Sequence, residues 1–135
     1  MKSGRSARHL SARPDRCRRV DSAMNTLLNG YREEAGLYLR MLRLTWRQQD
    51  VLRSESDLYR FRDLLEEKEE LLGRIARIES AMANAKSLVL SQSPAKCPDR
   101  WKLEMLLDRL TDTIEEIRIV EGSNARLLEA VPAAN

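Results

Sequence analysis

An all-α fold, an elongated antiparallel helical hairpin or three-long-helix bundle with coiled-coil-like packing, is predicted by three observations. Apolar residues recur at alternating intervals of four and three along most of the chain. Turn formers are sparse, with four Pro and five Gly in 135 residues. Aromatics make up only 4%, and the frequent turns and β-branched runs that sandwiches and barrels need do not occur. A chain of this length holds one domain with a shallow core.

The first helix has suitable N-caps in Asp21 and Ser22 and an apolar stripe at Met24, Leu28, Tyr31, Ala35, Tyr38 and Leu42. That stripe continues as Thr45, Gln49 and Leu52, so its apolar character fades toward the C-terminal end. Leu27, Leu39 and Met41 widen the face beyond a two-helix seam. Ser54-Glu55-Ser56-Asp57 then supplies hydroxyls and acids that can cap a new helix or mark a kink.

The second helix carries Leu58, Phe61, Leu65, Lys68, Leu72, Ile75, Met82 and Val89 in the same spacing, flanked by Leu64, Leu71 and Ile78. Glu66, Glu67, Glu69 and Glu70 fall on the flanks and outer face, where a charge run reads as a solvated surface. Ser91 to Pro98 is an unambiguous loop, because Pro94 and Pro98 both bar helix continuation. The third helix runs through Leu103, Leu106/Leu107, Leu110, Ile114, Ile117, Val120, Asn124 and Leu127/Leu128 to Val131.

These readings place helices at 22–53, 57–90 and 98–131, each roughly 50 Å long at about 1.5 Å per residue. Short connections make neighbours in sequence antiparallel. Folding about the centre of the loop pairs positions whose numbers sum to about 189. Leu72 then faces Ile117, Ile75 faces Ile114, Met82 faces Leu107, Phe61 faces Leu128, and the charged Lys68 faces Glu121.

Charge divides the chain unevenly. Residues 1–20 hold seven basic groups against Asp15, a balance of +6, so the remainder carries −3 within an overall +3. Without apolar periodicity, 1–20 reads as a disordered basic tail and 21–135 as the helical domain. An Arg- and Ser-rich start also suits a transit peptide or a nucleic-acid arm, but no aromatic side chains accompany it to stack on bases. An unstructured leader, or a reading frame that properly begins at Met24, is the plainer reading. A chain starting at Met24 is therefore expected to keep its thermal midpoint. The acidic helical body offers no continuous basic face, so nucleic acid is not expected as a partner.

Cys17 and Cys97 are too few and too far apart for a disulfide framework or zinc-ligand spacing, which favours a reducing cytoplasm. No segment has the roughly 20 apolar residues that a bilayer span requires, so no membrane insertion is expected. His9 is the single histidine, and phosphate loops, Cys/His clusters and nucleophile elbows do not occur. The expectation is a non-catalytic protein with no cofactor and no metal. Asp108/Asp112 and Asp112/Glu116 have helical i,i+4 spacing that could grip an ion, but such pairs are ordinarily exposed charges that weakly repel. Trp101 is expected to close the apolar seam near the loop, while Trp46 suits core packing or an interface equally well.

The stretch LYRFRDLLEEKEELLGRIARIE at 58–79 resembles the central segment of the FlgN family of flagellar type III export chaperones. The shared feature is Lys68 followed three residues later by Leu71 and Leu72. IRIVEGSNARLLEAV at 117–131 resembles the family's closing segment, with Asn124 followed by Leu127 and Leu128. The similarity covers about 24–131. The basic leader departs from the family pattern, and Gln48 stands where an acidic residue is common in the first helix.

The resemblance implies a cytoplasmic bacterial chaperone that binds hook–filament junction proteins (flagellar hook-associated proteins) and yields them at the export gate. Client helices that order only in the filament would be covered by helix-in-groove packing. The alternative is a coiled-coil scaffold or homodimeric adaptor whose stripes are satisfied by self-association.

The partner surface is expected on the third helix, whose apolar positions form two adjacent stripes. A two-helix seam consumes only about two positions in seven, which leaves a surplus. The first helix, fading at Thr45 and Gln49, covers that surplus least well at its C-terminal end. The expected partner-binding residues are Leu106, Leu110, Ile114, Ile117, Val120, Asn124, Leu127 and Leu128. The resemblance points the same way, because the family's client-binding region lies toward the C-terminus.

Overall fold

The computed structural model describes residues 2–55, 57–93 and 97–131, with side chains described from Arg18 onward except that of Glu55. Among the described residues there are three long helices: α1 (Lys2–Asp50), α2 (Leu58–Leu90) and α3 (Arg100–Ala130). A π-helical turn, Val51–Glu55, follows α1 directly. Among the described residues there is no strand.

The helix boundaries follow from local chemistry. Asp57 caps α2, its carboxylate accepting from the backbone N–H groups of Tyr59 at 3.1 Å and Arg60 at 3.3 Å. Asp99 occupies the N-cap position of α3 and pairs with Lys102 one turn later, at 3.3 Å. At the other end, α1 does not begin at Asp21–Ser22 but extends back to Lys2. Arg and Ala have high intrinsic helix propensity, so a segment without an apolar stripe can still take helical backbone. The side chains of the expected tail lie outside the described residues before Arg18. Packing does reach further back than Met24, since Val20 and Ala23 belong to the core.

The packing order differs from a hairpin of α2 and α3 with the first helix laid alongside. The backbone of α1 runs close along both α2 and α3, whereas α2 and α3 keep apart. The burial pattern of α1 explains this. Positions 20, 27, 34, 41 and 48 are buried, and so are 24, 31, 45 and 52, and 23, 37, 44 and 51. Such a wide face accommodates two neighbours, while α2 and α3 each offer one seam. Toward α2, Gln48 bonds Lys68 and Arg40 pairs with Glu67 at 2.9 Å. Toward α3, Gln49 bonds Ser123 and the Thr45 carbonyl accepts from Asn124.

Two apolar clusters fill the interior. Met24, Leu27, Leu28, Tyr31, Met82, Val89, Leu103 and Leu110 form the one nearer the α2–α3 loop, and Cys97 is tucked against it. Leu37, Met41, Leu44, Val51, Leu64, Leu71, Ile75 and Ile117 form the other.

The seam of α2 is Leu64, Lys68, Leu71, Ile75, Met82 and Val89, so Leu58, Leu65 and Leu72 point outward rather than inward. Two four-three registers overlap here, sharing Phe61, Lys68, Ile75, Met82 and Val89. Between the shared positions the buried one continues into Ile78 and Ala85, whereas the other runs into Glu79 and Lys86. Trp101 does not close the seam and is 57% exposed. It lies about 200° around the helix from Leu103, which faces inward. Trp46 is also exposed.

Candidate client-binding surface

Near the π-helical turn, polar side chains replace apolar ones in the interior. Thr45, Gln48, Gln49, Lys68 and Asn124 are all buried, so the stripe of α1 changes chemistry there without leaving the core. Buried polar groups must find partners. Lys68 Nζ donates to Gln48 Oε1 at 2.9 Å and to Glu121 Oε2 at 3.1 Å, linking all three helices. Gln48 Nε2 donates to the Phe61 carbonyl at 3.4 Å, and Gln49 Nε2 to Ser123 Oγ at 3.0 Å. Thr45 Oγ1 donates to the Met41 carbonyl at 2.8 Å, and Asn124 Nδ2 to the Thr45 carbonyl at 3.0 Å. Asn124 Oδ1 is left without a partner.

Glutamine at 48 therefore has a structural reading. It accepts from the buried ammonium in the place where a carboxylate would, and Glu121 on α3 supplies the negative charge.

A second polar cluster lies between α1 and α2. Burial first, then the neighbouring Glu79, pushes the carboxyl of Glu34 up to about 8. One Glu34 oxygen has no partner. Burial, followed by these two carboxyls, also raises the Tyr38 hydroxyl, and Tyr31 raises Lys86.

The stripe expected on α3 divides between interior and surface. Leu110, Ile117, Val120 and Asn124 are buried in the bundle's own core. In the closed bundle they are not available to a partner. Leu106 and Leu127 are half-buried, whereas Ile114 and Leu128 are exposed. Ile114 and Leu128 stand one heptad to either side of Glu121 and so share its face.

That face looks toward α2, because Glu121 meets Lys68. On α2, Leu65 and Leu72 flank Lys68 at i−3 and i+4, and Leu58 continues the row. All three are more than two-fifths exposed. The α2–α3 side of the bundle is thus an open apolar face with one ion pair at its centre. Leucines 58, 65 and 72 were hidden from sequence reasoning by the overlapping register; their ending at Glu79 and Lys86 was the available signal.

Among the described residues, no group of three or more His, Cys, Asp and Glu side chains could hold a metal ion, and no helix is long and apolar enough to cross a membrane. Three long amphipathic helices packed side by side define an all-α helical bundle. A family model described as FlgN protein matches residues 24–133, and the chain belongs to the FlgN family of flagellar export chaperones. No curated protein and no solved structure matches it.

Proposed function

We propose that the chain binds hook–filament junction proteins in the bacterial cytoplasm before flagellar type III export and gives them up at the export gate. Family membership over residues 24–133 supports the chaperone role in general. The observation that carries the finer reading is the open apolar face formed by Leu65 and Leu72 of α2 with Ile114 and Leu128 of α3. An amphipathic client helix laid between α2 and α3 would complete a bundle that α1 closes from one side only. This work needs positioning and burial rather than bond chemistry, so we read the protein as non-catalytic.

The client surface is accordingly the part of the expected stripe that remains outside, Ile114 and Leu128. Leu110, Ile117, Val120 and Asn124 would hold α3 on α1. Self-association across the same leucines is the competing reading, and it makes the mass in solution depend on concentration. The test is copurification of co-expressed hook–filament junction proteins with the wild-type chain and with Leu72→Glu, Ile114→Glu and Leu128→Glu. Binding lost while helicity and midpoint are kept supports the reading. Full binding by all three folded variants refutes this location.

A further inference from the structure

We propose that a second docking site, separate from the α2–α3 face, lies between α1 and the start of α3 and takes a short acidic peptide segment bearing a large apolar side chain. It is a groove of about 210 Å³. Its apolar part comes from Leu28, Leu106, Met105 and Trp101, and its rim from Arg32, Lys102 and Arg109. Ile114, the nearer end of the α2–α3 face, is roughly 20 Å from Trp101 along α3 at about 1.5 Å per residue and about 220° around the helix from it, so one short segment cannot occupy both places.

Three features define the occupant. Trp101 and Met105 are about half exposed beside buried Leu28, and an exposed Trp next to Met is a surface suited to a large apolar anchor. Among the described residues the rim charges are all of one sign and no carboxylate lines the groove. Among the described residues, Arg32 and Arg109 have no ion-pair partner, and only Lys102 is engaged, with Asp99 at 3.3 Å. Lys102 Nζ lies 5.8 Å from the centre of the Trp101 ring, which keeps cation and apolar surface side by side.

Charge complementarity therefore selects carboxylates on the partner, placed to either side of its apolar anchor. The chain's own basic N-terminal segment would be repelled. An extended polyanion such as RNA would have to pass Glu104, Asp108 and Asp112, all exposed along the same helix, whereas a short peptide would not.

The site does not depend on hook–filament junction proteins being the client, and its test uses none. In a Trp46→Phe background Trp101 is the single tryptophan. Its emission would be followed during titration with a short synthetic peptide of glutamates flanking a central Leu-Phe pair. A saturable blue shift is expected, with affinity weakened about tenfold or more by Arg32→Glu/Arg109→Glu and by moderate salt. Both arginines are exposed, so helicity should be unchanged; Arg32→Gln/Arg109→Gln, which removes charge without reversing it, should fall between. The proposal is overturned by any of four results: no saturable shift, equal binding of a lysine-for-glutamate peptide, unchanged affinity in the double variants, or stronger displacement by RNA than by excess peptide. A dimer that dissociates in the double variants while peptide fails to bind would instead assign the groove to a second copy of the chain.

Discussion

Lys68 on α2 reaches Glu121 on α3 at 3.1 Å although α1 keeps the two helix backbones apart. The lysine side chain is buried and the glutamate half exposed, so the pair sits at the border between core and open face. Gln48 of α1 takes a second hydrogen of the same ammonium at 2.9 Å. One cation thus fixes the axial position of all three helices, as a buried polar residue fixes register in a coiled coil.

Substitution of Gln48 separates the parts of this junction. Gln48→Leu strands a buried ammonium with only a half-exposed partner and is expected to cost about 2–3 kcal/mol. Glu121→Ala takes the carboxylate from the same buried ammonium and is expected to cost about 1–3 kcal/mol, since water at the half-exposed glutamate position replaces part of the lost contact. Gln48→Glu should match or exceed wild-type stability at neutral pH and lose the advantage on acidification. Urea unfolding at two pH values measures all three.

Glu34 makes stability depend on pH in the opposite sense from an ion-paired acid. Its carboxyl is raised from an ordinary 4.5 to about 8, so between those values the folded chain holds a proton that the unfolded chain has released. Its contribution is fully present below about 4.5 and is lost as pH rises through about 8. Glu34→Gln is therefore expected to raise the thermal midpoint by several degrees at pH 8 and by little at pH 5. A difference that does not change with pH would contradict the assignment.

Gly30 gives Met82 its place. A Cβ at this position would overlap Sδ and Cγ of the buried Met82 side chain. Gly30→Ala should gain helix propensity of about 1 kcal/mol but lose more through overpacking, for a net cost of about 1–2 kcal/mol. Met82→Ala removes both overlapping atoms, so in a double-mutant cycle it should cost less in the Gly30→Ala background than in the wild type.

Truncation tests where the bundle starts. Removing residues 1–17 should leave the midpoint unchanged. Removing 1–23 takes away the buried Val20 and Ala23 and should lower it by a few degrees, since burial of a valine contributes about 1.5–3 kcal/mol. Equal midpoints for both truncations would show that these two contacts add nothing.

The three helices, the loop and the Lys68–Glu121 pairing were legible in the sequence because periodicity and proline placement act locally. The identity of the central helix was not. Thr45 and Gln49 read as the end of an apolar stripe, yet both lie in the interior, hydrogen-bonded to Met41 and Ser123. Polarity alone does not distinguish an exposed position from a buried one with a partner. Leu65 and Leu72 pointed the wrong way for a related reason, since two registers with the same spacing share Lys68 and Ile75. Half of the partner residues expected on α3 proved to be interior, because the first helix covers α3 better than its fading stripe suggested.

If the open α2–α3 face holds the client, its exposed leucines and isoleucine carry the binding. The most direct measurement is calorimetric titration of a hook–filament junction protein into the wild-type chain and into the triple variant Leu72→Glu/Ile114→Glu/Leu128→Glu, with helicity and mass checked for both. Saturable binding to the wild type is expected, with a negative heat-capacity change from apolar burial, and a loss of at least about a hundredfold in affinity in a folded, monomeric triple variant. Undiminished binding by that variant would contradict it.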